Sequence, residues 1–98
     1  MGLLAGRNKR DTERFRKALR TLGRRIAELR KEKRWSQARL AEKSGLGNNT
    51  IGQIERAELC CTLETLFPIA YALGTTAAEL IKDLDPLVQG PSTYSDDH

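Results

Sequence analysis

The chain has 98 residues, of which 39% are hydrophobic and 31% charged, with a formal net charge of +4 and a pI near 9.4. This length allows one domain with a modest core, and the basic balance is compatible with a polyanionic partner. No apolar run approaches the ~20 residues that span a bilayer, and the opening MGLLAG fits neither a signal peptide nor a myristoylation site, so we expect a cytoplasmic protein with no membrane partner.

Basic charge is concentrated in the first third of the chain. Residues 7–34 carry 13 basic and four acidic residues, a net charge of +9, whereas residues 35–98 carry four basic and nine acidic residues, a net charge of −5. A run of like charge is most often only a solvated surface. Other features must therefore decide whether it marks a nucleic-acid site.

The first apolar pattern predicts a long amphipathic helix that starts at Asp11 or Thr12 and ends near Lys33. Its apolar residues recur at steps of four, three, four and three, namely Phe15, Leu19, Leu22, Ile26 and Leu29. Gly23 interrupts this stripe and costs about 1 kcal/mol relative to Ala in a helix. We therefore expect either a kink there or a helix that forms fully only from Leu22, preceded by a basic, partly helical extension over residues 1–20.

Two short helices follow, joined by a tight turn. Ser36 is a good N-cap for the helix QARLAEKS, and Gly45 can end that helix in a left-handed conformation. The next periodic segment begins near Asn48 and returns apolar residues at Ile51 and Ile54. This arrangement is the helix-turn-helix pattern.

The second of these helices has two different faces. At about 100° per residue, the two isoleucines fall on one side, and the other side holds Asn48, Asn49, Gly52, Gln53 and Arg56. Asn and Gln carry a donor and an acceptor on one planar group, so they can pair bidentately with adenine in the major groove. An ordinary polar, exposed face is the simpler alternative, and composition alone favours it.

Two further helices complete the pattern. Thr62 can cap a helix over residues 63–73, closed by Gly74, whose buried face would be Leu66, Ile69, Ala70 and Leu73. Thr76 and Glu79 form a capping box for a last helix that we expect to run to Asp83 or Leu84. Residues 86–98 are rich in turn formers and acid, which is typical of a flexible tail.

The sequence offers little support for a catalytic site. The single histidine is His98 at the end of the sequence, and the cysteines, Cys60 and Cys61, are adjacent, which two ligands of one zinc site rarely are. We interpret them as small apolar loop residues, with thiol chemistry as the lesser alternative. The expectation is a protein that is not an enzyme and needs no cofactor or metal.

Residues 22–81 resemble the Xre family of helix-turn-helix regulators, which includes lambdoid phage repressors and Cro, restriction-modification controller proteins and many antitoxins. The elements WSQARLAEKSGL, TIGQIERAE and TLETLFPIAYALG stand in the family's order and spacing. The resemblance implies an all-α, five-helix, lambda-repressor-like DNA-binding domain over residues 21–85. It also implies a homodimer that binds a pseudo-palindromic double-stranded DNA operator and regulates transcription.

The resemblance also implies roles for individual residues. Base reading would fall to Asn48, Asn49 and Gln53, contacts to the DNA backbone to Gln37, Arg39, Thr50 and Arg56, and a partly buried ion pair to Arg30 and Glu55. This chain departs from the family at Gly47, an N-cap without a side-chain acceptor, and in the loop RAELCCTLE, which lacks the customary Gly, Pro and a basic residue. Glu58 in that loop would repel phosphate.

Three questions stay open from the sequence. The fold could serve an antitoxin or another protein-interaction module that binds a toxin or other protein, although such a module would place apolar side chains where the amides lie. RNA or ribosome association would use the basic front without needing the amides. The segment from Arg7 to Arg20 could contact DNA, join a dimer interface, or only aid solubility, and by family analogy we expect dimer contacts near Leu80, Leu84 and Leu87.

Overall fold

The computed structural model describes the backbone of residues 9–84 and the side chains of residues 12–84. Regular secondary structure in this part of the chain is all helical, with α1 at Lys9–Glu32, α2 at Gln37–Ser44, α3 at Asn48–Glu55, α4 at Leu63–Leu73 and α5 at Ala77–Leu80. The all-α, five-helix fold class expected from the sequence is confirmed. The predictions for Arg7, Leu87, His98 and the 86–98 tail fall outside the described residues.

Helix α1 is continuous through Gly23, so the long amphipathic helix predicted from the apolar stripe is confirmed, and the alternative of a helix that forms fully only from Leu22 was wrong. A Cβ built on Gly23 would lie 2.5 Å from the carbonyl oxygen of Ile54 and 2.6 Å from that of Glu55. Glycine therefore stands here because the last turn of α3 crosses α1 at that point, and not because the helix ends. The proposed boundary between residues 20 and 21 falls inside α1, and Ala18, on its N-terminal side, is buried in the core.

The connection from α1 to α3 follows the expected capping chemistry. After α1, Arg34 takes a left-handed φ of 61°, and the Trp35 N–H donates to the carbonyl of Arg30 at 3.2 Å. The Ser36 hydroxyl caps α2 by accepting from the Arg39 N–H at 3.0 Å. Gly45 ends α2 with a φ of 73°. These caps leave two residues between Gly45 and α3, which sets the tight turn of the helix-turn-helix.

Helix α4 buries the face predicted for it, namely Leu66, Ile69, Ala70 and Leu73. Helix α5 is shorter than expected, because it ends at Leu80 and not at Asp83 or Leu84. Asp83 has a φ of 65°, which no α-helical residue adopts, so the chain turns away before that position. The Arg25 guanidinium on α1 donates to the carbonyls of Leu80 at 2.8 Å and Lys82 at 2.7 Å, which satisfies the end of α5.

One hydrophobic core joins all five helices. Its most fully buried side chains are Ile26, Leu40, Ile51, Ile69 and Leu80. Burying each of these contributes roughly 1.5–3 kcal/mol to the free energy of unfolding. Helix α2 packs against α3 and α4, and α1 packs against α3, α4 and α5. Helix α3 is thus held from two sides, which leaves its remaining face open.

Two of the residues expected at a dimer interface, Leu80 and Leu84, are not on the surface. Leu80 is 2% exposed and Leu84 6% exposed, because both belong to the subunit's own core. A side chain that already fills the interior offers no free area to a second subunit. A dimer of this chain must therefore use residues other than Leu80 and Leu84.

Candidate nucleic-acid interface

Helix α3 presents its amide side chains outward. Ile51 and Ile54 are 0% and 2% exposed and fix the inner face of the helix to the core, whereas Asn48, Asn49 and Gln53 are all exposed. Among the described residues, none of the three amide side chains has a hydrogen-bond partner. Their donors and acceptors are therefore available to a ligand that offers both.

The first turn of α3 is open as well. Gly47 is its N-cap, with extended backbone and no side-chain acceptor for the N–H groups of the first turn. Unpaired N–H groups and the helix dipole together favour an anion at such a terminus. Thr50, half-buried on the first turn, is the one proposed backbone-contact residue that belongs to α3 itself.

The orientation of α3 is fixed by a charged hydrogen-bond cluster centred on Glu55. Arg30 donates to Glu55 through Nε at 2.7 Å and through Nη2 at 3.0 Å, and both side chains are about nine-tenths buried. The third Arg30 bond, from Nη1, goes to the Trp35 carbonyl at 2.8 Å. A bidentate, partly buried pair of this kind is directional, so it ties the end of α3 to α1 and to the entry of α2.

Gln37 belongs to the same cluster. Its Nε2 donates to Glu55 Oε1 at 2.9 Å, which fixes the amide of Gln37 above the ion pair. An amide nitrogen has two N–H groups, so one remains for another acceptor. The backbone contact implied for Gln37 is thus compatible with this geometry, but the residue also has an internal role that the sequence did not indicate.

Gly52 was placed on the open arc of α3 by the helical wheel, and the structure places it differently. Gly52 is buried, and a Cβ there would lie 2.9 Å from Arg56 Nη1 and 3.2 Å from Gln37 Oε1. The arginine and the glutamine cover this glycine. Its lack of a side chain brings them close to the helix, and it does not present bare backbone to a ligand.

The two arginines proposed as backbone contacts are both paired with acids of this chain. Arg56 donates to Glu58 from Nε at 3.0 Å and from Nη2 at 3.3 Å, and Arg39 donates to Glu42 at 2.9 Å. All four side chains are about half exposed or more. Hydrogen bonding to Glu58 raises the pKa of Arg56 above its ordinary value. A phosphate would have to displace these carboxylates, and the wheel pattern alone could not reveal that.

The loop between α3 and α4 differs from the expected form in its backbone as well as its charge. Ala57 has a φ of 59°, and the Glu58 N–H reaches back to the Gln53 carbonyl at 2.8 Å. Cys60 is exposed, Cys61 is half-buried, and both are free thiols. Burial raises the pKa of the Cys61 thiol, which keeps it protonated and weakly reactive.

The outer surface of α1 is basic. Arg16, Lys17 and Arg20 are exposed, and Lys17 and Arg20 border a shallow surface depression with Glu13 and Arg14. Among the side chains of residues 12–84, no group of three or more His, Cys, Asp or Glu residues could hold a metal ion. Over the same part of the chain, no helix combines the length and the apolar character needed to cross a membrane.

Comparison with known proteins assigns the fold to a family. The model of the family described as Helix-turn-helix matches residues 26–80, which is more than half of the chain. The HTH-type transcriptional regulator SutR of Escherichia coli (strain K12) is 38% identical over 69 residues, covering 70% of this chain and 38% of that protein. The Immunity repressor protein of Bacillus phage phi105 is 38% identical over 75 residues, covering 76% of this chain and 52% of that protein.

A third relative is the Control protein C.SmaI of Serratia marcescens, which is 48% identical over 46 residues. The match covers 47% of this chain and 55% of the control protein. The chain thus spans between 38% and 55% of the length of these three relatives.

Proposed function

Because the chain belongs to the Xre-like helix-turn-helix family, we propose that it is a transcriptional regulator that binds double-stranded DNA and reads a pseudo-palindromic operator through α3. The names of its relatives support this proposal, since they include a transcriptional regulator, a repressor and a control protein. Binding is the activity of the domain, and no reaction is assigned to it.

One observation supports the proposal more than any other. Helix α3 is anchored by Ile51, Ile54 and the Glu55 cluster, and its opposite side exposes Asn48, Asn49 and Gln53 with their hydrogen-bonding groups unused. A rigid helix with free bidentate amides is what direct readout of base edges in the major groove requires. A toxin-binding module would instead be expected to expose apolar side chains on this face.

Backbone contacts would then surround the reading helix. We assign them to Gln37, Arg39, Thr50 and Arg56, which lie on α2, on α3 or directly after it. Such contacts set the register of the protein on the duplex and carry no sequence information themselves. The carboxylates of Glu42 and Glu58 compete with phosphate for the two arginines.

A single α3 covers too few base pairs to select an operator alone. Two-fold dimers of this motif place their half-sites about 10 bp apart, or at multiples of that spacing, so the operator should be pseudo-palindromic. Footprinting that shows a monomer on one asymmetric half-site would contradict this part of the proposal.

The base-reading assignment can be tested by selecting binding sites from random DNA with the native chain and with Asn48→Ala, Asn49→Ala and Gln53→Ala, singly and together. Each single variant should relax the preference at particular base pairs by about 1–3 kcal/mol for each bidentate pair that the substitution removes. Lys82→Ala, a change at an exposed residue beyond α5, is the control and should leave the selected sequence unchanged. If the triple variant selects the native sequence, α3 does not read bases.

A further inference from the structure

Helix α4 carries apolar side chains on its outer surface as well as on its buried face. Leu63 is 64% exposed, Phe67 56% and Tyr71 87%, and their spacing of four residues aligns them in one row, the α4 stripe. Within α4, Glu64 is the one charged residue. A helix that is apolar on most of its circumference is expected to be covered on most of it.

The α4 stripe is separate from the proposed DNA-reading surface. It lies on α4, whereas the amides lie on α3, and α2 packs against both of these helices. The stripe therefore has no part in the DNA contacts assigned to α2 and α3.

The area of the α4 stripe suits a protein interface. Large apolar and aromatic side chains bury roughly 150–250 Å² each, so at the exposed fractions observed the three residues offer on the order of 400 Å². A standard interface buries about 800 Å² per partner, and about 65% of its core is apolar. The stripe thus supplies most of the apolar area that one subunit of a stable dimer needs.

The row is also self-complementary. Leu63 and Tyr71 each lie four residues from Phe67, on opposite sides of it along the helix. If two α4 helices pair antiparallel about a two-fold axis through Phe67, that residue meets its own copy, and Leu63 of each subunit meets Tyr71 of the other. In this isologous arrangement, the two ends of the row make the same contact, between Leu63 of one copy and Tyr71 of the other.

We propose that the α4 stripe is the homodimer interface of this chain and that two copies pair through antiparallel α4 helices with Phe67 on the two-fold axis. The dimer itself does not depend on the proposed function. Only its biological role does, which is to bring two α3 helices onto one operator. It also replaces Leu80 and Leu84, which are buried within the subunit.

The association is measured without DNA, by sedimentation of the full chain over a range of concentrations. The native chain should form a dimer. Phe67→Lys places two charges on the axis and should raise the dissociation constant of the dimer by a factor of at least about thirty, as expected at the centre of an interface. Ile81→Lys is the matched control, because Ile81 is also an exposed apolar residue but lies outside the stripe, and it should leave the dimer intact.

A charge exchange tests the antiparallel register. Leu63→Lys and Tyr71→Glu should each weaken the dimer, and the double variant should regain much of the affinity because each new lysine faces a new glutamate of the second copy. Positions 63 and 71 are about 12 Å apart along one helix, so this rescue cannot arise within one subunit. All substituted side chains are exposed, and circular dichroism would verify that each variant is folded.

A native chain that stays monomeric would overturn the inference and would assign the stripe to a different protein partner. A Phe67→Lys variant that dimerises normally, an Ile81→Lys variant that dissociates equally, or a double variant without rescue would overturn it too. Failure of the proposed function is distinguishable: it would appear as an intact dimer that selects no DNA sequence.

Discussion

Ala57 holds a backbone conformation that glycine adopts at lower free energy. Its φ of 59° lies in the left-handed region, which costs a residue with a side chain roughly 1–2 kcal/mol. The conformation is needed because it turns the chain after α3 and allows the Glu58 N–H to reach the Gln53 carbonyl. The family's customary glycine in this loop has the same physical explanation.

Replacing Ala57 by Gly should therefore raise the free energy of unfolding by about 0.5–1 kcal/mol, after the greater flexibility of the unfolded chain is deducted. Urea denaturation would measure this change. Ala38→Gly is the control, because Ala38 is exposed in the first turn of α2 and glycine there should lower stability, by at most about 1 kcal/mol. Loss of stability in both variants would mean that the strain at Ala57 is negligible.

Glu58 forms an ion pair with Arg56 in the free protein, and two guanidinium nitrogens of Arg56 lie within 3.3 Å of the Glu58 carboxylate. In Glu58→Gln the arginine is released from a charged partner, and the loop loses a charge that repels DNA. We expect tighter binding to any sequence and a plot of log affinity against log salt that is steeper by about 0.9, equivalent to one more phosphate contact.

Titration of the Glu58→Gln variant at several salt concentrations would measure that slope. Glu79→Gln removes the same charge from α5 and should change the slope much less. An unchanged slope in Glu58→Gln would show that Arg56 does not contact phosphate in the complex. A sharper operator preference would also count against this account, because phosphate contacts do not discriminate between bases.

At the scale of helices, the contact between Gly23 of α1 and the last turn of α3 sets how closely the two helices approach. In Gly23→Ala the new methyl group would meet two backbone carbonyls, which cannot rotate away as a side chain can. Overpacking of this kind costs about 1–3 kcal/mol, against about 1 kcal/mol gained from helix propensity. We expect lower stability and a displaced α3, and hence weaker binding to the operator by the folded protein.

Ala27→Gly provides the comparison on the same helix. It should lower stability by about 1 kcal/mol through propensity alone and leave operator affinity of the folded protein unchanged. Thermal denaturation and operator titration on both variants would separate the two effects. If Gly23→Ala binds the operator with the same affinity as the native chain, the domain accommodates the methyl group without a displacement of α3.

The helices that were predictable from sequence are those with strong local signals. Ser36, Gly45, Thr76 and Gly74 mark helix ends through capping chemistry, and the buried face of α4 follows from its spacing. Gly23 and Gly52 were misread because their environment comes from residues distant in sequence or from folded-back side chains. A helical wheel contains neither kind of information.

The candidate site, like the helices, could be predicted from the sequence only in part. The outward position of the amides follows from the period of α3, because Ile51 and Ile54 must face the core. The carboxylate partners of Arg39 and Arg56 and the bond from Gln37 to Glu55 depend on rotamers that the pattern does not specify. The turn that follows α5 includes Asp83 in a left-handed conformation, and no glycine in the sequence marks that turn.

At the scale of the whole molecule, the described chain is elongated, with extents of 47 × 27 × 19 Å. Helix α1 accounts for much of the long dimension, since 24 residues of helix span about 36 Å. Its exposed basic residues continue along the outside of the molecule. We expect them to add affinity for DNA without adding selectivity.

The test is a triple variant, Arg16→Gln, Lys17→Gln and Arg20→Gln. This is preferable to removing the segment, because Ala18 contributes to the core. The salt dependence of binding should flatten by about 0.9 for each of the three that contacts phosphate, and the selected operator should stay the same. Lys82→Gln serves as the single-charge control.

Two other results would redirect this interpretation. An unchanged salt slope would assign these charges to solubility alone. A loss of dimerisation in sedimentation experiments would make the outer surface of α1 part of the assembly, alongside or in place of the α4 stripe.

The residues that anchor α3 and the residues that it exposes are different sets. Ile51, Ile54 and Glu55 hold the helix, while Asn48, Asn49 and Gln53 contribute nothing to the core. Substitutions at the exposed set should therefore cost the fold little, whatever they do to binding. A duplicated gene for such a domain could diverge toward a new target by changing three codons, with no compensating change elsewhere and without passing through an unstable intermediate.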